Sequence, residues 1–164
     1  MRGKVCFRKF IVLSLLMAFL LSSQEGTMMA KSKGYVFSYK GVTVSIGGTA
    51  KKIIKKAGKP KSKKVKKSCA YKGKDRTYKY KDFILYTYSN SDKGAEYVNG
   101  ITFLTSKVST KEGIHIGSTY KSVKKKYGKA KDNFGVYTYK KGKCKLQIEV
   151  TDDVVSNIRY IISK

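Results

Sequence analysis

Ile46-Gly47-Gly48-Thr49, then a lysine-rich stretch and Ala57-Gly58-Lys59-Pro60, returns 70 residues later as Ile116-Gly117-Ser118-Thr119, a second lysine-rich stretch and Tyr127-Gly128-Lys129-Ala130. Self-similarity at a fixed period sets architecture before any local propensity does, so a duplicated unit is expected. Within the first copy Thr49 is placed to cap a helix with its hydroxyl. Ala50, Ile53, Ile54 and Ala57 recur at i, i+3, i+4 and i+7 and share one helical face. Lys51, Lys52, Lys55 and Lys56 take the solvent side, Gly58 supplies a left-handed stop, and Pro60 forbids continuation. In the second copy Thr119 caps, Tyr120, Val123 and Tyr127 make the stripe, and Lys121, Lys124, Lys125 and Lys126 face outward before Gly128. Each helix spans only about two to three turns and needs a sheet to bury its stripe.

Outward from these helices the pattern becomes period two. Tyr35 to Ile46 reads as an extended lead-in. Lys61 to Ser68, Lys-Ser-Lys-Lys-Val-Lys-Lys-Ser, reads as a self-repelling loop. Strands are predicted at Thr77 to Tyr80, Phe83 to Tyr88 and Glu96 to Leu104, with Phe83 and Leu85 on one face and Ile84, Tyr86 and Tyr88 on the other. After the second helix, Val136 to Tyr139, Cys144 to Val150 and Val154 to Ile162 repeat the arrangement, with Lys141-Gly142 and Thr151-Asp152-Asp153 as turns. The predicted fold is α+β: two repeats, about 42–106 and 113–162, each one short helix plus a three-stranded antiparallel meander, with the helices packed on a shared sheet.

Residues 1–30 read as an export signal. Arg2, Lys4, Arg8 and Lys9 precede an apolar run from Phe10 to Leu21, shorter than the ~20 residues of a membrane span, and Ala30 offers a small residue for cleavage. Membrane contact is thus expected only through this segment before its removal. The remaining residues 31–164 are one domain by length, and retain 33 basic against 9 acidic residues, a net charge of +24. Only Arg76 and Arg159 of those bases are arginines; lysine is a hydrated point charge suited to diffuse attraction rather than bidentate readout. A polyanion partner fits this charge, and sequence-specific nucleic-acid readout does not. Cys69 and Cys144 are the two cysteines left after processing. They are either a disulfide joining the repeats, permitted by export, or, for Cys144, a small buried hydrophobe beside Leu146 and Ile148.

Catalytic chemistry finds little to stand on. His115 is the single histidine, and no nucleophile and acid are spaced to make a triad with it. One histidine and two cysteines do not supply a four-ligand zinc site. Ser89 to Gly94 lacks the acidic first position and distal Glu of a calcium loop, and Asp152-Asp153 reads as a turn. No enzyme activity, metal or cofactor is expected. The 13 tyrosines, all after residue 30, are more informative. Tyr78, Tyr80, Tyr86, Tyr88, Tyr137 and Tyr139 alternate with lysine or threonine along strands. Together with Lys51, Lys52, Lys55, Lys56, Lys121, Lys124 and Lys125 they form the expected aromatic, cationic binding surface.

The Ile-Gly-x-Thr start, the Ala-Gly or Tyr-Gly helix stop, and the endings Val98, Ile101, Phe103 and Val155, Ile158, Tyr160 resemble the tandem repeats of the beta-lactamase inhibitory protein family. A single unit is similar to the small lipoprotein of the outer-membrane assembly machinery (the SmpA/OmlA family). Ser68-Cys69-Ala70, Tyr78-x-Tyr80 and Gly113-Ile114-x-Ile116-Gly117 are similar to pieces of secreted clostridial proteins. The resemblance implies protein binding through the sheet and its loops, and carries over no residue role. The expected function is a non-enzymatic module secreted by, or held in the envelope of, a Gram-positive bacterium, taking an anionic cell-wall polymer or an acidic protein. The alternative is a proteinaceous enzyme inhibitor.

Overall fold

Alternating residues outnumber helical ones in this chain, and the computed structural model, which describes residues 34–70 and 72–163, follows the alternation. The export signal expected over residues 1–30 lies outside the described residues. Strands β1 (Val36–Tyr39) and β2 (Val42–Ser45) precede helix α1 (Lys51–Ala57), which is followed by β3 (Ser62–Lys67), β4 (Lys74–Lys79), β5 (Phe83–Ser89) and β6 (Glu96–Phe103). Helix α2 (Tyr120–Tyr127) then leads to β7 (Asp132–Asn133), β8 (Val136–Lys141), β9 (Cys144–Thr151) and β10 (Val154–Ile162). The hairpin β1–β2 stands apart, and the other strands form one antiparallel sheet in the order β3-β4-β5-β6-β10-β9-β8-β7.

This overturns the α+β expectation of two helix-plus-meander repeats. The protein is mostly β, 48% strand and 12% helix, and eight strands share one sheet. Four strands, β1, β2, β3 and β7, were missed for physical reasons. All six residues of β3 are exposed, so no apolar alternation marks it; it exists by pairing with β4, from Ser62 opposite Lys79 to Lys67 opposite Lys74. β7 is two residues long. The lead-in before α1 folds back at Lys40 and Gly41, with φ of +48° and +80°, the left-handed pair of a tight hairpin turn.

The covered face of the sheet carries the core. Phe83 and Leu85 of β5, Ile101 and Phe103 of β6, Ile158 and Tyr160 of β10, and Leu146 and Ile148 of β9 are buried there. The β1–β2 hairpin lies over the middle of this face: the Phe37 ring sits 5.0 Å from Phe83 and 5.6 Å from Phe103, and Tyr35 sits 5.5 Å from Tyr160. α1 contributes Ile53 to the same core and α2 contributes Val123, while Tyr120 of α2 stacks on Tyr137 of β8 at 4.4 Å.

The Ile-Gly-x-Thr echo ties each helix to a central strand. The Gly47 N–H donates to the Val98 carbonyl and Gly117 N–H to that of Val155, each at 2.8 Å. Return bonds run from Val98 N–H to Gly48 and from Val155 N–H to Ser118, again 2.8 Å each. The caps differ. Thr119 accepts from the Ser122 N–H at 3.3 Å, as its sequence position suggests. Thr49 does not cap α1: Ala50 holds that position, and its N–H goes to the Glu96 carbonyl instead. Gly58 and Gly128 end the helices at φ +74° and +81°.

The disulfide is also corrected. Cys69 and Cys144 are both free thiols, one exposed and one buried. Cys144 shares the covered-face parity of Leu146 and Ile148, and its thiol lies 3.7 Å from the Ile46 carbonyl oxygen. Cys69 sits in the β3–β4 turn, beside residues that line the other face.

Candidate binding face of the sheet

Because side chains alternate along a strand, every residue that skips the core emerges on the opposite face. The register aligns them into rows: Thr77 beside Tyr86, Gly100, Ile161, Lys145 and Lys140. A neighbouring row sets Asp75 beside Tyr88 and Tyr97. Arg159 stands between Thr102 and Gln147 on the same face. Neither helix nor the β1–β2 hairpin covers this side, since all three are packed on the other.

Two irregularities shape it. The β5–β6 register steps from Tyr86 opposite Gly100 to Thr87 opposite Val98, which makes Asn99 an extra, exposed residue. The β9–β10 register also steps, around Ser156 toward the start of β10. Such bulges bend a strand and sharpen local twist. The bulge at Asn99 borders a depression of about 630 Å³, with Ser68, Asp75, Tyr86, Tyr88, Arg159 and Lys145 among its other walls. Gly100 is its floor. A Cβ there would lie 2.7 Å from the Tyr160 carbonyl oxygen, so only glycine fits, and the Tyr86 ring edge is 3.7 Å from that point. Tyr97 extends the aromatic surface, with its ring 5.6 Å from that of Tyr88.

The charges differ in availability. Arg76 is committed, 3.5 Å from Glu96 with 12% of its side chain exposed. Arg159 is exposed and makes no ion pair among the described residues, and Lys145, half-buried, makes none either. Two groups able to bind an anion therefore stand on β10 and β9. Asp75 and Asn99 offer hydrogen-bond acceptors toward β4 and β6.

The expected binding surface is divided by the fold. Tyr86 and Tyr88 lie on the open face. Tyr78, Tyr80, Tyr137 and Tyr139 are only 4%, 3%, 8% and 8% exposed and belong to the core. Tyr78 donates to Glu96, which also accepts from Thr87 at 2.9 Å; burial, then that carboxylate, push the Tyr78 phenol up from its usual pKa. Burial likewise raises Tyr80 and Tyr139, and Tyr139 donates to the Gly128 carbonyl at the end of α2. Lys51, Lys52, Lys55 and Lys56 on α1, and Lys121, Lys124 and Lys125 on α2, are exposed, as the helical stripes imply, but on the far side of the helix layer from Tyr86. Lys124 lies over the Tyr120 ring at 4.6 Å.

His115 sits in the loop before α2, where its Nδ1 is 2.8 Å from the Ile116 carbonyl oxygen. Asp152 and Asp153 make the expected turn, with φ of +51° and +58°. Among the described residues no group of three or more His, Cys, Asp or Glu side chains stands close enough to hold a metal ion.

Sequence reasoning overlooked Tyr97, Arg159, Lys145, Asp75 and Asn99. Arg159 had a usable signal, since it falls between Ile158 and Tyr160, both buried, and so must face away from them. The open face can therefore stack flat rings on tyrosines and hold an anion beside them. Compared with family models, curated proteins and solved structures, the chain has no match among any of the three.

Proposed function

We propose that the protein is a non-enzymatic binding module, exported to the envelope or medium, that takes an anionic polymer on the open face of its sheet. The observation that carries this reading is the company Tyr86, Tyr88 and Tyr97 keep: tyrosine rings beside an uncommitted arginine and lysine, on a face that the helices leave uncovered. Tyrosine supplies stacking area at low conformational cost and a hydroxyl to bond with. The helix lysines on the other side raise the potential around the whole molecule and speed encounter with anions without fixing the bound geometry.

The test uses the exported product of an expressed full chain, titrated with teichoic acid, heparin and polyglutamate at low and high salt. Binding at low salt is expected to fall steeply with salt, as counterion release requires. Tyr86→Ala combined with Tyr88→Ala is expected to weaken it by about tenfold or more, the equivalent of ~1.4 kcal/mol. No binding to any polymer at low salt, or binding indifferent to the double substitution, would sink the reading.

One observation favours the second reading, an enzyme inhibitor. Phe134 is 100% exposed at the β7–β8 turn, with the Asp132 carboxylate accepting from the Gly135 N–H at 2.7 Å. A bare aromatic on a fixed turn suits insertion into another protein's cleft. Inhibition of a purified hydrolase that disappears in Phe134→Ala would support it.

A further inference from the structure

The depression on the open face is graded along the sheet. Asp75 stands on β4, the tyrosines on β5 and β6, Arg159 on β10 and Lys145 on β9. Neighbouring strands are about 4.8 Å apart, so three strand spacings, about 14 Å, separate the column of Asp75 from that of Arg159, and Lys145 is one column further. A uniformly anionic chain lying across this path would gain at β10 and β9 and be repelled at β4. A ligand with its negative charge at one end and hydroxyl or amide donors at the other would gain along the whole path.

Resting on the proposed function, we infer that the ligand class is a glycan with neutral rings and spaced anionic groups. One or more rings lie on Tyr86 and Tyr88, and a carboxylate or phosphate ester meets Arg159 and Lys145. Flat apolar ring faces are what a pyranose offers to tyrosine and what an extended acidic peptide lacks. Gly100 is buried in the floor, where any side chain would meet the Tyr160 carbonyl, and the half-buried Tyr86 ring lies beside it. Asp75 and the bulged Asn99 accept from ring hydroxyls or an acetamido N–H. The Arg159 guanidinium presents a planar fork matched to a carboxylate or phosphate, with Lys145 adding a point charge. A volume of about 630 Å³ falls within the range of sites that enclose small ligands. It suits a short run of rings, and a longer polymer would cross it.

The exported protein is titrated calorimetrically with four probes at fixed salt: hyaluronan tetrasaccharide (carboxylate on a ring), glucose 6-phosphate (phosphate on a ring), chitotriose (rings without charge) and short polyglutamate (carboxylates without rings). One of the two charged sugars is expected to bind best, which also tells carboxylate from phosphate. Chitotriose and polyglutamate are each expected to be weaker by about tenfold or more, ~1.4 kcal/mol. Arg159→Ala and Tyr86→Ala should each cost the charged sugar about tenfold, and Arg159→Lys should recover only part of the loss. Amide shifts of Asn99, Gly100 and Ile161 in the unaltered protein map the site without relying on any variant folding. Polyglutamate binding as tightly as either sugar, with the same shifts, would overturn the glycan assignment and leave the open face as the binding surface. No shift at these amides with any probe would overturn both.

Discussion

The same residue type serves opposite ends on the two faces of the sheet. On the covered face Tyr78, Tyr137 and Tyr139 bury their rings and direct their hydroxyls to Glu96, Asp132 and the Gly128 carbonyl. On the open face Tyr86, Tyr88 and Tyr97 are half-buried, beside Arg159 and Lys145, which make no ion pair among the described residues. Residue identity does not distinguish the two sets; register does. Tyr78 faces Leu85, so it is core, and Tyr86 faces Gly100, so it is surface. The covered face therefore holds the stability of the domain, and side chains of the open face can change at little cost to the fold.

Alkali should break this division most severely. Burial raises the phenols of Tyr35, Tyr78, Tyr127 and Tyr160, that of Tyr35 to about 12, and the nearby Glu112 carboxylate adds to the rise in Tyr35, Tyr127 and Tyr160. An unfolded tyrosine ionises near 10. The stability these groups contribute is thus complete below pH 10 and is lost progressively as pH climbs above 10, that of Tyr35 through about 12. The thermal midpoint is expected to drop steeply across that window, with phenolate absorbance rising together with loss of the strand circular dichroism. Full ionisation of all tyrosines in an intact sheet would contradict the covered-face assignment.

Single substitutions sharpen the contrast. Phe83→Ala, at a fully buried position, should cost about 3–5 kcal/mol in urea unfolding. Gly100→Ala tests the boundary between faces: its new Cβ presses on the Tyr160 carbonyl oxygen, and a loss of about 1–3 kcal/mol is expected. It should also block the depression. Arg159→Ala should change stability by only about 0.5 kcal/mol. A cost comparable to that of Phe83→Ala would mean that Arg159 holds the fold together rather than a ligand.

What could be read from the sequence follows what physical signal each element leaves. Phe83 and Leu85 against Ile84, Tyr86 and Tyr88 gave the two faces of β5 correctly, because alternation under a half-buried strand is a strong signal. The Gly58 and Gly128 stops were legible because their backbone conformation demands glycine. β3 was not legible, because a strand that buries nothing looks like a charged loop. The fold class was misjudged for a related reason: two well-marked helices drew attention to 15 residues, while unmarked strands extended each half from three members to four. The binding surface was misassigned where Thr77-Tyr78-Lys79-Tyr80 alternates. Alternation says that two faces differ, and it does not say which one the rest of the protein covers.

The lysines of β3 have a consequence beyond any ligand. A sheet that does not close on itself has two rims, and each is a template on which another copy could continue. At one rim β7 is only two residues long. At the other, Lys63, Lys64, Lys66 and Lys67 line a strand exposed along its whole length. A second molecule arriving by the same rim would bring lysine against lysine, and the repulsion would act before any backbone bond could form. The run that reads as a self-repelling loop thus works against edge-to-edge pairing of copies at this rim.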